Sequence, residues 1–363
     1  MNKKVMIFAN NDVGLYNFRK ELLERLIRDG NQVYCSLPFG EKTPLLSDLG
    51  CECIDTKISR HGTNPFEDFG LLIQYLKILK KVKPDIVFTY TIKPNVYGGL
   101  ACTLKKIPYA ANVTGLGNAI ENGGLMQRLT LFLYRIGLKK AETVFFQNSA
   151  NRGFMVSKKI VKAKNDLLPG SGVNLDTNRY ESYPVNDDNV IFLIIGRIMK
   201  AKGTDEILEA AKEIKKEYPN VIFRFIGSYD GAYQQKIKEA VDNGTVEYIG
   251  EQSDIHSFIK ESHATLHASY HEGMSNVLLE TAASGRPIIA TDVPGCKETY
   301  DNGISGISFK PKDTGDLVRA VKDFLSLSYN QKEEMGKYGR LKMEKEFDRN
   351  IIVNKYMEVV KDI

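Results

Sequence analysis

Residues 181–203, ESYPVNDDNVIFLIIGRIMKAKG, contain the feature that decides the fold. The polar, proline-containing run at 181–189 predicts a linker, and the β-branched run at 190–195 that follows it predicts a buried strand. This strand ends at Gly196, and two cations, Arg197 and Lys202, precede a helix that is expected to open near Gly203. A strand, a loop and a helix in this order begin a βαβ unit, so we predict that a second α/β domain starts here.

The same alternation of strands and helices is present on both sides of the linker. Short apolar runs such as VMIFA (5–9) and DIVFTY (85–90) alternate with amphipathic stretches before it, and VIFRFIG (221–227) and PIIAT (287–291) do so after it. Runs of this length suit parallel strands that are buried on both faces. We therefore predict an α/β fold with two doubly wound domains that leave a ligand-binding cleft at the carboxyl ends of their strands.

The predicted boundaries follow from this pattern. We expect a first domain at residues 1–180, a second domain at 190–345, and a helix at 346–363 that packs back on the first domain. A chain of 363 residues is long enough for two ordinary domains. No apolar run approaches the roughly 20 residues that span a bilayer, and the first residues do not form a secretory signal. The five cysteines form no metal or redox spacing, which favours reduced thiols in the cytosol.

Positive charge is concentrated in the first half of the chain. Residues 1–183 hold 26 Lys and Arg against 16 Asp and Glu, whereas the remainder holds 24 against 29. The segment LMQRLTLFLYRIGLKK (125–140) mixes leucine and aromatic residues with cations. Such a basic amphipathic segment can lie on an anionic membrane surface. The alternative is a core-facing helix with a solvated basic side.

Three loops of the first domain follow predicted strands and should face the ligand-binding edge. In ANNDVGLYNF (9–18), Gly14 can let the backbone approach a phosphate or a sugar, or it can belong to a plain turn. This loop lacks the G-x-G-x-x-G pattern, so no dinucleotide fingerprint is present. The loops at 89–99 and 112–124 could hold a hydroxylated or anionic ligand, although loop structure alone would also explain their glycines. Their candidate residues are Lys93, Asn95, Thr114 and the pair Gly115 and Gly117.

The stretch SYHEGMSNVLLE (269–280) carries two glutamates eight positions apart. A helix should begin at Ser275 and Asn276, which are good N-cap types, so Glu280 lies inside the helix and Glu272 lies in the preceding loop. In one continuous helix the two side chains would be about 80° apart and would not stack, so we expect them to have different roles. The alternative is a capped surface helix with an exposed glutamate.

The backbone between the two glutamates is a candidate anion site. Gly273, Met274, Ser275 and Asn276 offer N–H groups at the positive end of the predicted helix. Arg197 and Lys202, at the carboxyl edge of the strand that ends at Gly196, form a second candidate site, which suits a diphosphate; a solvated basic loop is its alternative.

The histidines present a rival interpretation. His263, His267 and His271 are spaced by four, which on a helix would form a metal-binding face. However, ATLHASYHEG (264–273) is predicted as a strand and a loop, which separates them. We expect neither a metal nor another cofactor.

Taken in order, these motifs resemble the retaining glycosyltransferases of family 4, which have the GT-B fold. The likeness depends on G-R-x4-K-G (196–203) and on H-E-G-M-S-N-V-L-L-E (271–280) with its E-x7-E spacing. KPNxYG, TGLG, GSGVN (170–174) and YIGEQSDI (248–255) also have counterparts, so the resemblance covers nearly the whole chain. Within the family, the chain is most similar to bacterial enzymes that extend polyprenyl-diphosphate-linked sugars, including N-acetylgalactosaminyltransferases of N-glycosylation and capsule assembly.

The resemblance implies roles for individual residues. Arg197 and Lys202 would bind the donor diphosphate, and Glu272 would contact the donor sugar. The other implied donor contacts are Gly14, Gly196, Gly250, Gly273, Met274, Ser275, Asn276 and Glu280, the last on the ribose. The implied acceptor contacts are Arg60, Lys93, Asn95, Thr114 and Gly115. Ile92 stands where many relatives have a histidine beside the donor sugar, and Ala268 stands where relatives often have proline.

The implied function is metal-independent, retaining transfer of an N-acetylhexosamine, such as GalNAc, from a UDP-sugar to a lipid-linked glycan. The protein is expected in the cytoplasm, peripheral on the inner face of the plasma membrane, with no nucleic-acid partner. Two alternatives stay open: a GT-B nucleotide-sugar epimerase and a non-catalytic nucleotide-sugar-binding subunit.

Overall fold

The computed structural model describes residues 2–59, 64–116, 123–185 and 189–363. The chain forms two compact units. The first contains Met1–Ser171 and Arg349–Ile363, and the second contains Gly172–Asp348. Each unit is built on a parallel sheet, as the short apolar runs predict.

The first unit has a seven-stranded sheet in the order β3-β2-β1-β4-β5-β6-β7. Its strands are β1 (Lys4–Phe8), β2 (Gln32–Leu37), β3 (Glu52–Asp55), β4 (Ile86–Tyr90), β5 (Tyr109–Val113), β6 (Thr143–Phe146) and β7 (Lys164–Leu167). Its helices are α1 (Asp12–Arg28), α2 (Thr43–Asp48), α3 (Pro65–Val82), α4 (Gly99–Lys105), α5 (Gly124–Gly137) and α6 (Ser149–Ser157), and a π-helical turn (Pro94–Gly98) precedes α4.

The second unit has a six-stranded sheet in the order β10-β9-β8-β11-β12-β13. Its strands are β8 (Val190–Ile195), β9 (Val221–Ile226), β10 (Glu247–Gly250), β11 (Ala264–His267), β12 (Ile288–Thr291) and β13 (Gly306–Phe309). Its main helices are α7 (Thr204–Glu217), α8 (Gln234–Asp242), α9 (Ile255–Glu261), α10 (Asn276–Ala283), α11 (Thr314–Ser326) and α12 (Tyr329–Lys342).

The last helix, α13 (Arg349–Lys361), belongs to the first unit, where it packs on α1. The Arg349 guanidinium is 2.9 Å from a carboxylate oxygen of Glu21, and the buried Tyr356 ring meets Phe88 edge to face at 5.2 Å between centroids. Burial of one face of α13 against the sheet and α1 explains why the chain returns to the first unit.

The boundary between the units lies before the predicted linker. Residues from Gly172 onward belong to the second unit. The guanidinium of Arg286, which is fully buried, donates to the carbonyls of Glu181 (2.9 Å) and Ser182 (2.8 Å), and the Tyr183 hydroxyl donates to the carbonyl of His263 (3.0 Å). These hydrogen bonds tie residues 181–183 to the second unit, which a reading of local polarity does not reveal.

Strand order determines where a ligand site can form. In the second unit the strand order reverses direction between β8 and β11. These two strands are neighbours in the sheet although their paired residues Phe192 and Ala264 are 72 positions apart in the chain. In open α/β sheets, ligands bind outside the carboxyl ends of the strands at such a switch point. The loops after β8 and β11 meet at this position.

Candidate functional site

The loops that follow β8 and β11 are tied together by hydrogen bonds. The N–H of Tyr270 donates to the carbonyl of Ala201 at 3.0 Å. The Tyr270 hydroxyl donates to Glu206 in the first turn of α7 at 2.7 Å. The hydroxyl of Thr291, at the end of β12, donates to the carbonyl of Ser269 at 2.6 Å. The loop that carries Glu272 is therefore held from both sides.

Lys202 and Glu272 meet at this junction. The Lys202 ammonium donates directly to Oε1 of Glu272, and the side chains are 29% and 16% exposed. Burial by itself would raise the pKa of the Glu272 carboxyl, but the hydrogen bond from His267 and the charge of Lys202 outweigh burial and hold this pKa well below its usual range. Glu272 is therefore a carboxylate near neutral pH.

His267 is a third member of the site. It is the last residue of β11 and only 6% exposed. Its Nε2 lies 3.1 Å from Oε1 of Glu272 and 3.3 Å from Oγ of Ser275. The spacing of the histidines suggests His267 only as part of a metal-like pattern and does not reveal this contact. The signal that could have identified it is a polar residue at the carboxyl end of an otherwise apolar strand.

The backbone N–H groups at the start of α10, the candidate anion site, are not all available to a ligand. Ser275 is the N-cap, as predicted, but its side chain does not cap the helix. Its N–H donates to the carbonyl of Gly295 at 2.8 Å. Met274 is buried, and Oδ1 of the half-buried Asn276 has no hydrogen-bond partner within the described part of the chain. Gly273 lies between Glu272 and this start.

Glu280 lies inside α10, separate from the loop of Glu272. It is half-buried, and its carbonyl accepts from the Ser284 N–H at 3.1 Å. The two glutamates therefore occupy different elements, the loop and the helix, as the N-cap pattern predicts.

Glycines end three adjacent strands on the same edge. Gly196, Gly227 and Gly250 follow or end β8, β9 and β10 with φ of 134°, 135° and 82°. A Cβ on Gly227 would lie 2.2 Å from the carbonyl oxygen of Gly196, so only glycine fits there. A Cβ on Gly196 or Gly250 would meet no atom within 4 Å. Gly196 and Gly250 are among the residues predicted from the sequence, whereas Gly227 is not.

The predicted cations lie at this open edge. Arg197 is exposed and makes no hydrogen bond or ion pair with any residue that the structure describes. A small pocket brings it together with Gly196, Lys202 and His267. An exposed guanidinium that has no partner among the described residues, next to an ammonium, suits recognition of an anion with several oxygens, such as a diphosphate.

The predicted residues of the first unit have other environments. The Lys93 ammonium is 2.7 Å from a carboxylate oxygen of Asp68. Asn95 is completely buried. Its Oδ1 accepts from the Thr89 hydroxyl (2.6 Å), and its amide nitrogen donates to the carbonyl of Asn112 (2.8 Å). Its side chain thus links the segment after β4 to β4 and β5. A contact of Asn95 with an acceptor stays a prediction.

The remaining predicted positions lie in two loops. Thr114 and Gly115 follow β5 and are half-buried. Gly14 is in the first turn of α1, where its N–H donates to Oδ1 of Asn11 at 2.5 Å. Arg60 and Gly117 lie outside the described residues.

Strand geometry also accounts for the histidine spacing. His263 precedes β11, His267 ends it and His271 lies in the loop beyond, so the three do not share a helical face. Nδ1 of His263 accepts from the N–H of Ile191 at 3.1 Å, at the opposite end of the strand from His267.

Comparison with known families identifies both halves of the chain. Residues 4–148 match the model "Glycosyl transferase 4-like". Residues 177–342 match the model "Glycosyl transferases group 1". The second match contains Arg197, Lys202, Glu272 and Glu280.

Two relatives with curated descriptions are similar over most of their length. The N,N'-diacetylbacillosaminyl-diphospho-undecaprenol alpha-1,3-N-acetylgalactosaminyltransferase of Campylobacter jejuni is 28% identical, and the alignment covers 98% of each chain. The capsular polysaccharide biosynthesis glycosyltransferase CapM of Staphylococcus aureus is 25% identical, with 79% of each chain covered.

Solved structures confirm the predicted GT-B fold. Anabaena HepE, in a crystal structure with UDP-glucose, superposes with a TM-score of 0.80 at 15% identity and covers 100% of each chain. The two matched models together span most of the chain. The chain therefore contains a glycosyl transferase 4-like domain followed by a glycosyl transferases group 1 domain.

Proposed function

We propose that the protein is a retaining, metal-independent hexosyltransferase that moves an N-acetylhexosamine, such as GalNAc, from a UDP-sugar to a polyprenyl-diphosphate-linked glycan. Its product would serve the assembly of surface polysaccharide or of a glycoprotein glycan. The observation that carries this proposal is the contact of Lys202 with Glu272 at the switch point of the second sheet, beside Arg197, which has no partner in the described part of the chain. Two cations next to a partly buried carboxylate match a donor with an anionic diphosphate and a hydroxylated sugar.

The donor half of the proposal assigns a task to each group. Arg197 and Lys202 bind the diphosphate and stabilise the negative charge that develops on the leaving nucleotide, which is the largest contribution to catalysis in many enzymes. Glu272, held as a carboxylate, accepts hydrogen bonds from sugar hydroxyls. Glu280 binds the ribose, and the open edge at Gly250 receives the base.

The helix start contributes less than the sequence suggests. The N–H of Ser275 already donates to Gly295, so a phosphate or sugar oxygen would compete with that carbonyl. Met274, Asn276 and Gly273 complete the proposed donor contacts, in a region where the positive end of α10 favours anions. Attack on the same face of the sugar as the departing phosphate would retain the anomeric configuration.

The acceptor half rests on relatives and on surface chemistry. The Campylobacter jejuni relative acts on a diphospho-undecaprenol-linked sugar. Here, α5 exposes Leu125 (81%), Leu129 (46%) and Phe132 (57%), and Arg128 is exposed among them. Apolar side chains interleaved with cations suit the surface of an anionic bilayer. We therefore place the protein peripherally on the inner face of the plasma membrane.

The structure adds one observation about membranes. Among the residues that it describes, no helix combines the length and the apolar character required to cross a bilayer.

The test of the proposed function has two stages. UDP-sugars are first screened by thermal shift, because a ligand that binds only the folded state raises its apparent stability. The best donor is then incubated with polyprenyl-diphosphate-linked acceptors, with and without EDTA, and the anomeric configuration of the product is read by NMR. We expect acceptor-dependent, EDTA-resistant transfer with retention. Release of UDP without any acceptor would instead indicate an epimerase, and donor binding without turnover a non-catalytic subunit.

A further inference from the structure

Glu272 and the donor diphosphate would compete for the ammonium of Lys202. Lys202 and His267 both contact the same carboxylate oxygen, Oε1. If Lys202 binds the donor diphosphate, its ammonium is shared between that diphosphate and Glu272. Each phosphate oxygen that recruits Lys202 weakens the contact that holds the carboxylate.

The second contact, from His267, does not depend on Lys202. The pKa of Glu272 is held well below its usual range, so the carboxylate accepts hydrogen bonds and donates none. The hydrogen between the two side chains therefore belongs to Nε2 of His267. The same Nε2 lies 3.3 Å from Oγ of Ser275, and this hydroxyl does not cap α10.

The position of His267 makes this contact rigid. The residue ends β11, a central strand of the sheet, and it is 6% exposed. Lys202, in contrast, lies in a short 3₁₀ turn (Lys200–Lys202) within the loop after β8, and its side chain is 29% exposed. A hydrogen-bond donor on a buried strand keeps its orientation when a ligand binds, whereas a long, partly exposed side chain can turn to a new partner.

We propose that His267 is a positioning residue that holds the Glu272 carboxylate toward the donor sugar when Lys202 moves to the diphosphate. This inference rests on the proposed function and deepens it. It assigns the diphosphate to Lys202 and the sugar to the pair of His267 and Glu272. Loss of His267 should then weaken recognition of the sugar and leave recognition of the diphosphate intact.

The test compares binding of UDP with binding of UDP-N-acetylgalactosamine by calorimetry. In the wild type, the UDP-sugar should bind more tightly than UDP. In His267→Ala, the affinity for the UDP-sugar should fall about tenfold, because a hydrogen bond to a charged group is lost, while the affinity for UDP stays the same. His267→Gln should restore the UDP-sugar affinity, since its amide nitrogen reaches the position of Nε2; His267→Asn, whose amide reaches only the position of Nδ1, should not.

The chain offers a matched control in His263. This histidine lies at the other end of β11, is 7% exposed and contacts the backbone N–H of Ile191. His263→Ala should lower stability without changing the preference for the UDP-sugar. Equal losses for UDP and the UDP-sugar in His267→Ala, no loss, or the same loss in His263→Ala would each overturn the inference.

A spectroscopic readout separates this inference from the proposed function. In ¹⁵N spectra of labelled histidine, with the signals assigned through His267→Gln, Nε2 of His267 should carry a hydrogen in the ligand-free wild type. A bare Nε2 would overturn the inference whatever the protein binds. A wild type that does not prefer the UDP-sugar would contradict the proposed donor, and the ¹⁵N result would then decide the inference alone.

Discussion

Lys202 and Glu272, which are 70 positions apart in the chain, form a direct ion pair at the edge of the second sheet. Each side chain compensates the partly buried charge of the other. Lys202 lies after β8 and Glu272 after β11, so the pair joins the two segments at the switch point. This pair is the centre of the proposed donor site.

Replacement of either partner should reduce transfer with the fold intact. We expect Lys202→Ala and Glu272→Gln each to lower kcat by about 10²-fold or more, because each removes a preorganised charge from the reacting groups. Initial rates with the best UDP-sugar and circular dichroism measure the two effects. Lys200→Ala, an exposed lysine on the same loop, is the matched control and should stay near wild type. Near-normal turnover in both Lys202→Ala and Glu272→Gln would contradict the assignment.

The ion pair also predicts a dependence of stability on pH. The pKa of Glu272 is lower in the folded state than in the unfolded chain, so its ionisation stabilises the fold above the unfolded pKa of about 4.3. This contribution is lost as the pH falls below that value. The free energy of unfolding of Glu272→Gln, measured with urea from pH 7 to pH 3, should therefore be below that of the wild type near neutrality and approach it in acid. A gap that stays constant over this range would contradict the depressed pKa.

A glycine behind Glu272 should be irreplaceable. Gly295 has a φ of 86°, and a Cβ there would lie 2.6 Å from the carbonyl oxygen of Glu272. In Gly295→Ala, the new Cβ would therefore collide with the loop that carries Glu272, in addition to straining the backbone. Gly303 is the matched control, because its φ is 79° and a Cβ there meets nothing within 4 Å.

The two variants separate strain from displacement. Gly303→Ala should cost only the strain of a left-handed residue, about 1 kcal/mol, and keep full activity. Gly295→Ala should lose more stability and also lose transfer activity. Thermal unfolding and initial rates measure both, and equal activity in the two variants would show that Gly295 does not support Glu272.

The exposed face of α5 predicts membrane binding with two separable components. The double variant Leu125→Ser with Phe132→Ser should lower the fraction of protein that sediments with anionic liposomes, because the apolar contribution to binding is lost. Lys139→Glu with Lys140→Glu should remove the component that is sensitive to salt. Arg135 is left unchanged, since its guanidinium donates to the carbonyl of Lys158 at 3.1 Å.

A variant in the second unit serves as the control for this experiment. Leu341 is 58% exposed on α12, so Leu341→Ser removes an exposed leucine that has no proposed membrane role. Liposome binding that stays unchanged both in Leu125→Ser with Phe132→Ser and in Lys139→Glu with Lys140→Glu, the two lysines that follow α5, would contradict the membrane proposal.

Much of the fold follows from local pattern. The apolar runs at 190–195 and 264–268 predicted β8 and β11, and Ser275 marked the start of α10. These features depend on residues that are neighbours in sequence, so periodicity and capping chemistry reveal them. The cations at 197 and 202 and the separation of Glu272 from Glu280 were predicted for the same reason.

Other features were decided by contacts across the fold. Asn95, predicted from its loop to bind a ligand, is buried through hydrogen bonds to β4 and β5. The residues at 181–183, which look like a linker, are tied to the second unit by Arg286. Polarity in a sequence does not tell whether a side chain meets water or a partner from a distant segment.

The sequence by itself determined the type and order of the elements and the chemistry at the strand ends, because those depend on short-range periodicity and on residue identity. Only the tertiary structure decided that β8 and β11 are neighbours and that Lys202 and His267 both contact the same carboxylate oxygen of Glu272. The physical reason is that strand pairing is a long-range choice made by burial of the whole sheet, and the meeting of three side chains depends on that choice.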